Sequence, residues 1–145
     1  IFYSIPMKVV VFGSTGYLGL PLTLFLKSMQ LEVYSPNRNT VDCESIKVIQ
    51  KYLSQVQPDV VISSIGKPFN SQVSLHEAEI FSNENYLIES NLIDACHKLK
   101  IFQFINISSL SIYDNKFQNE SYKIKDLIMP QSKYAQKKVK NCEAT

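Results

Sequence analysis

The stretch Lys8-Val-Val-Val-Phe12-Gly13-Ser-Thr-Gly16-Tyr-Leu-Gly19 decides the fold. Its first half is a short apolar run rich in β-branched valine, the pattern of a strand buried on both faces. Its second half holds three of the chain's four glycines, spaced three apart. A turn without Cβ atoms can be tight, and it lets a pyrophosphate approach the backbone. The apolar run Tyr17–Met29 predicts a helix, in which Pro21 is tolerated because it falls near the first turn. The N-terminus of that helix offers free N–H groups and the positive end of a dipole to an anion. Strand, glycine turn and helix in this order point to a dinucleotide site; the rival is a turn that serves only the backbone. The candidate cradle is Gly13, Thr15, Gly16, Tyr17, Leu18 and Gly19.

Outward from this stretch the pattern repeats. Glu32–Ser35 predicts a second strand. Over Glu44–Val56 a stripe of Ile46, Ile49, Tyr52, Leu53 and Val56 has helical spacing. Pro58 stops that helix, and Asp59–Ile62 is another buried strand. A long helical region runs over Leu75–Leu99, followed by a buried strand at Ile101–Ile107. A polar loop, Asp114–Glu120, leads to a last helix beginning near Gln131. Strands that alternate with helices imply a doubly wound α/β domain, a parallel sheet with helices on both faces. The expected strand order is 3-2-1-4-5, over one domain spanning residues 7–145, with residues 1–6 as an N-terminal extension.

Composition narrows the class. An apolar share of 45% and a charged share of 19% are those of an ordinary soluble globular protein. The net charge of +2 is too small to imply a nucleic-acid or anionic-membrane partner. The densest basic run, Lys137, Lys138 and Lys140, reads as a solvated helix face. No apolar stretch reaches the roughly 18 residues that span a bilayer, and the first residues lack the basic region of a signal peptide. Cys43, Cys96 and Cys142 lie far apart, and their odd number argues against a disulfide framework. They read as reduced, buried thiols of a cytoplasmic protein. His76 and His97 have no second ligand at metal spacing, so no metal site is expected.

Two further motifs carry chemistry. Tyr134 and Lys138 stand four apart on the last helix, which puts them on one face. An ammonium one turn from a phenol favours the phenolate and lowers a pKa of about 10 towards a useful range for proton exchange. The alternative is an exposed surface pair. Asn106-Ile-Ser108-Ser109-Leu-Ser111-Ile-Tyr113 follows the strand at the edge where open α/β sheets place their chemistry. A hydroxyl there can bond a substrate carbonyl oxygen; a serine-rich strand exit is the plainer reading.

With these motifs in place, the chain from Met7 onward resembles the extended short-chain dehydrogenase/reductase superfamily, the NAD-dependent epimerases and dehydratases. Its register looks closest to the dTDP-4-dehydrorhamnose reductase branch. MKVVVFGSTGYLG resembles the family's opening strand and glycine turn, and Gln57-Pro-Asp-Val-Val-Ile62 its fourth strand. Asn85 with Asn91-Leu-Ile-Asp-Ala-Cys96 is similar to its Asn-bearing helix. The resemblance implies a Rossmann-like, three-layer αβα fold and the cofactor NADP or NAD. It places Ser63, Ser64 and Ile65 against the cofactor and Asp42 on the adenine amino group. It makes Ser109, Tyr134 and Lys138 the catalytic residues, with Lys138 also on the nicotinamide ribose. Asn37 aligns with the acidic residue that NAD-preferring members place on the ribose, and Arg38 follows it; a neutral residue and an arginine suit a 2′-phosphate, so NADP is expected.

Departures limit the activity. Leu110 and Ser111 stand where family dehydratases carry an Asp-Glu pair, which disfavours dehydration. The chain ends seven residues past Lys138, where members continue into a substrate region, so it is expected to be a fragment cut before that region. The resemblance implies an oxidoreductase that reduces a nucleotide-activated keto-sugar, with homo-oligomerisation left open. The rivals are a nucleotide-sugar epimerase, which would hold its NAD without net consumption, and a non-catalytic NAD(P)-binding sensor or interaction protein.

Overall fold

The fold was read from a computed structural model that describes residues 6–66, 74–109 and 133–143. These residues divide between two compact units. Of the described residues, the first holds 6–66 and 87–107, the second 74–86, 108–109 and 133–143.

The first unit is built on a parallel sheet of β1 (Lys8–Phe12), β2 (Glu32–Tyr34), β3 (Val60–Ser63) and β4 (Gln103–Asn106), ordered β2-β1-β3-β4. Val10 pairs with Tyr34 on one side and Val61 on the other, so β1 is central. Its continuous apolar run is explained by the two faces it serves. Val9 and Val11 pack with Val60 and Ile62 against Leu22 and Leu26 of α1 (Gly19–Ser28). Val10 and Phe12 pack with Val61 against Ile49, Leu53 and Val56 of α2 (Ile46–Val56) and Leu92, Ala95 and Cys96 of α3 (Leu75–Lys98). The Phe12 ring meets Tyr52 edge-on, with centroids 6.3 Å apart. Helices therefore cover both faces, and the expected Rossmann-like α/β class is the one observed.

The details differ in three places. Among the described residues no strand lies beyond β2, because the chain between β2 and β3, all of it described, folds into turns and α2. Pro36 has no N–H to give a ladder, and Asn37 and Asp42 bond their own neighbours instead. The order 3-2-1-4-5 thus loses its outermost expected member. The last described strand is not fully buried: Gln103 and Ile105 are exposed on one face, while Phe104 packs into the core. The first helix begins at Gly19 rather than at Tyr17, since residues 13–18 make the turn.

The second unit contains the first half of α3 and α4 (Lys133–Glu143). Ser74 and Glu77 form a capping box at the start of α3: the Ser74 hydroxyl accepts the Glu77 N–H at 3.3 Å, and the Glu77 carboxylate accepts the Ser74 N–H at 3.0 Å. The Ser74 hydroxyl also donates to the same carboxylate at 2.7 Å, and this bond first, then the one from the Ser74 N–H, holds the Glu77 carboxyl below its ordinary pKa. The expected loop at Asp114–Glu120, the helix start at Gln131 and most of residues 1–6 lie outside the described residues. No helix among the described residues is long and apolar enough to cross a membrane.

Candidate functional site

In the first unit the glycine turn lies at the C-terminal edge of the sheet, between β1 and α1. Gly13 has φ +81°, which only a residue without Cβ adopts freely. Its carbonyl accepts the Gly16 N–H at 2.9 Å and closes the turn. At Gly19 a Cβ would stand 2.0 Å from the Gly13 oxygen, so this glycine is needed for α1 to pack on the turn. Gly16 is different: a Cβ there would meet only the Gly13 oxygen, at 3.2 Å. Thr15, Gly16, Tyr17 and Leu18 are all exposed. The first turn of α1 has no side-chain cap and no acidic residue. The Leu20 and Leu22 N–H groups donate to the Gly16 and Leu18 carbonyls at 3.0 and 3.3 Å and Pro21 has no N–H, so it is the positive dipole end of α1 beside the bare Gly16 backbone that fits a pyrophosphate.

Ser63, Ser64 and Ile65 follow on β3. Ser64 donates its hydroxyl hydrogen to the Phe12 carbonyl at 3.0 Å, and its Oγ would touch a Cβ placed on Gly13 or Gly19. It buttresses the glycine turn. Ser63 is buried, and Ile65 packs against the core. Asn37 and Arg38 lie just past the end of β2, exposed, after the buried Pro36. Asp42 is exposed, and one carboxylate oxygen accepts the Glu44 N–H at 2.9 Å. Asn91 pins that segment by donating from Nδ2 to the carbonyls of Cys43 and Glu44, at 3.2 and 2.9 Å. The sequence reading gave Asn91 no such role, because nothing in local spacing couples residues 48 apart.

In the second unit Ser109 is half-buried in the segment that follows β4. Tyr134 and Lys138 stand one turn apart on α4. The side chain of Tyr134 lies outside the described ones. Lys138 is 5% exposed, so the basic run is not a uniformly solvated face. Lys137 is half-buried and donates to Asn83 on α3, and only Lys140 is exposed. Residues Leu110, Ser111 and Tyr113 lie outside the described residues. Among the described residues no cluster of His, Cys, Asp or Glu could hold a metal.

Comparison with known proteins agrees with this fold. The family model described as "NAD dependent epimerase/dehydratase family" matches residues 9–144. GDP-L-colitose synthase of Yersinia pseudotuberculosis is 25% identical over 107 residues, 74% of this chain and 35% of that protein. The crystal structure of dTDP-4-dehydrorhamnose reductase from Bacillus anthracis in complex with NADP has a TM-score of 0.81 at 17% identity, covering 99% of this chain and 50% of that one. UDP-glucose 4-epimerase from Thermus thermophilus in complex with NAD has a TM-score of 0.80 at 21% identity, covering 94% and 49%. The chain thus spans about a third of that curated relative and about half of these solved structures. The match over residues 9–144 includes the glycine turn and α4, and the chain belongs to the NAD dependent epimerase/dehydratase family.

Proposed function

We propose that this chain is the cofactor-binding half of an NADP(H)-dependent reductase of a nucleotide-activated keto-sugar. The observation that carries the reading is the glycine turn: a bare Gly16 backbone beside an uncapped, acid-free first turn of α1. Gly13, Thr15, Gly16, Tyr17, Leu18 and Gly19 would hold the pyrophosphate. Asp42 would bond the adenine amino group, Ser63, Ser64 and Ile65 would line the cofactor, and Asn37 and Arg38 would meet the ribose end. The names of the similar proteins, a colitose synthase and a dehydrorhamnose reductase, support a nucleotide-sugar substrate.

The nicotinamide, when bound, supplies the hydride to the sugar carbon. The chain's own residues manage the oxygen of that carbon. Ser109 donates a hydrogen bond to it and orients it. Tyr134 delivers the proton from its phenol as the alcohol forms. Lys138 favours the phenolate through its charge, which restricts proton exchange to a controlled donor, and it bonds the nicotinamide ribose. Burial of Lys138 keeps its ammonium in surroundings less screened than water, where its influence on a neighbouring phenol is larger.

Fluorescence titration of the chain with NADPH and NADH tests the cofactor reading, and NADPH is expected to bind more tightly. In the parent protein, Tyr134→Phe should remove most turnover of a keto-sugar nucleotide and leave NADPH affinity nearly intact. Equal affinity for both dinucleotides overturns the choice of NADP(H), and full turnover by Tyr134→Phe overturns the catalytic assignment.

A further inference from the structure

We infer that Thr40 is a positioning residue for cofactor choice, holding the Asn37–Asn39 segment in a form that withholds an acceptor from the adenosine ribose and leaves donors for a 2′-phosphate. The inference rests on the NADP(H) reading above.

The chemistry begins at Asn37. A residue just past β2 that accepts from the ribose 2′-hydroxyl favours NAD. Asn37 has one acceptor atom, Oδ1, and it is already engaged: it accepts the N–H of Asn39 at 2.9 Å and of Thr40 at 3.2 Å. A carboxamide oxygen has two lone pairs, so little capacity remains for a ribose hydroxyl. What the side chain still offers is Nδ2, which only donates. Beside it stands Arg38, exposed, with a guanidinium that also only donates and is always charged. A phosphate takes several charge-assisted bonds from such a set, whereas a ribose hydroxyl can accept from it but finds no acceptor there for its own O–H.

Thr40 closes the arrangement. Its Oγ1 accepts the Asn37 N–H at 3.0 Å and donates to the Asn37 carbonyl at 2.9 Å. Its own N–H donates to that carbonyl at 3.0 Å, and the Val41 N–H does so at 2.9 Å. The segment is anchored at both ends, since Pro36 and Val41 are buried while residues 37–40 are exposed. Between those anchors the Thr40 hydroxyl is the side-chain group that ties the Asn37 backbone in place. Without it the Asn37 N–H turns to water and the turn loosens, which weakens the bonds from the Asn39 and Thr40 N–H groups to Oδ1 and makes that oxygen more available to a ribose hydroxyl.

Thr40→Val keeps the branched shape and removes the hydroxyl; Thr40→Ser keeps the hydroxyl. NADPH and NADH differ only in the 2′-phosphate, so the ratio of their dissociation constants isolates this contact. Fluorescence titration of the 145-residue chain is the measurement, with amide hydrogen exchange at Asn37 as a readout that needs no cofactor. Thr40→Val is expected to reduce the NADPH preference about fivefold, the scale of a lost cap, and to speed exchange at Asn37. Its NADH affinity should stay near native or rise slightly. Thr40→Ser should keep both the preference and the slow exchange. If Arg38→Ala loses the preference and Thr40→Val keeps it, or if Thr40→Ser loses it as Thr40→Val does, the role of the Thr40 hydroxyl is overturned and the NADP(H) reading stands. If the native chain shows no NADPH preference, or Arg38→Ala retains all of it, the NADP(H) reading fails and this inference falls with it.

Discussion

At the scale of single residues, the three glycines of the turn have three different reasons to be there. Gly13 needs its positive φ, Gly19 needs the missing Cβ for packing, and Gly16 leaves space on the open side. The substitutions should therefore separate. Gly16→Val should fold and lose NADPH binding, because its side chain would occupy the place of the pyrophosphate; calorimetry showing native affinity in a folded variant would count against this. Gly19→Ala should instead destabilise the turn itself, since a carbon 2.0 Å from the Gly13 oxygen forces α1 to shift. The cysteines make a second prediction at this scale. Burial pushes the Cys96 thiol up to about 12. Burial, and secondarily the Asp42 carboxylate, pushes Cys43 up to about 11. Both are then neutral at pH 8, and a disulfide reagent should label them only after unfolding. The sign for stability follows: the neutral thiols' contribution is whole below the unfolded pKa of about 9 and is lost as the pH rises through about 11 and 12. Alkaline titration followed by circular dichroism reads that loss.

At the scale of elements, the helix ends reveal how sparingly glycine is used. Gln30, Gln57 and Lys100 have φ of +61°, +51° and +53°, and each ends a helix or follows its last turn. This left-handed position usually favours glycine. Here the glycines are concentrated in the turn after β1, and these ends carry side chains in a costly conformation. Gln57→Gly and Lys100→Gly should each raise stability by about 0.5–1 kcal/mol, provided no side-chain contact is lost. Urea unfolding at neutral pH measures this, and unchanged midpoints in both would contradict it. The capping box at α3 was equally open to a local reading, because Ser74 and Glu77 stand at the spacing that such boxes require. So was the α2 stripe: Ile49, Leu53 and Val56 are buried as their helical spacing predicts, and Ile46 and Tyr52 pack beside them. The reading of Ile101–Ile107 as a buried strand holds for the strand and for one of its faces, because an apolar run records hydrophobicity and not the number of covered faces. Phe102 is 87% exposed and Ile105 40%, although both belong to that run.

At the scale of the molecule, the two faces of the sheet carry separate cores, and the α2–α3 face is the larger. Leu53, at 1% exposure, lies in that larger core with Val10, Val61 and Leu92. Leu53→Ala should cost about 2–4 kcal/mol through lost burial and the cavity left behind, lowering the urea midpoint without abolishing the fold. Leu24→Ala on α1, where the side chain is 59% exposed, should cost far less. The contrast tests whether stability resides in the sheet-facing stripes.

By itself the sequence determined the alternation of strands and helices, the glycine turn and its helix, and the Tyr134 and Lys138 spacing on α4. These depend on neighbours within a few residues, where valine runs, glycine spacing and helical periodicity act directly. Only the tertiary structure decided that the chain between β2 and β3 adds no strand beyond β2, that Lys138 is buried while Lys140 is exposed, and that Asn91 holds the segment bearing Asp42. Each of these depends on which surfaces meet across tens of residues. A lysine has the same local pattern whether water or protein covers it, and an asparagine's partners 48 positions away leave no trace in its own spacing.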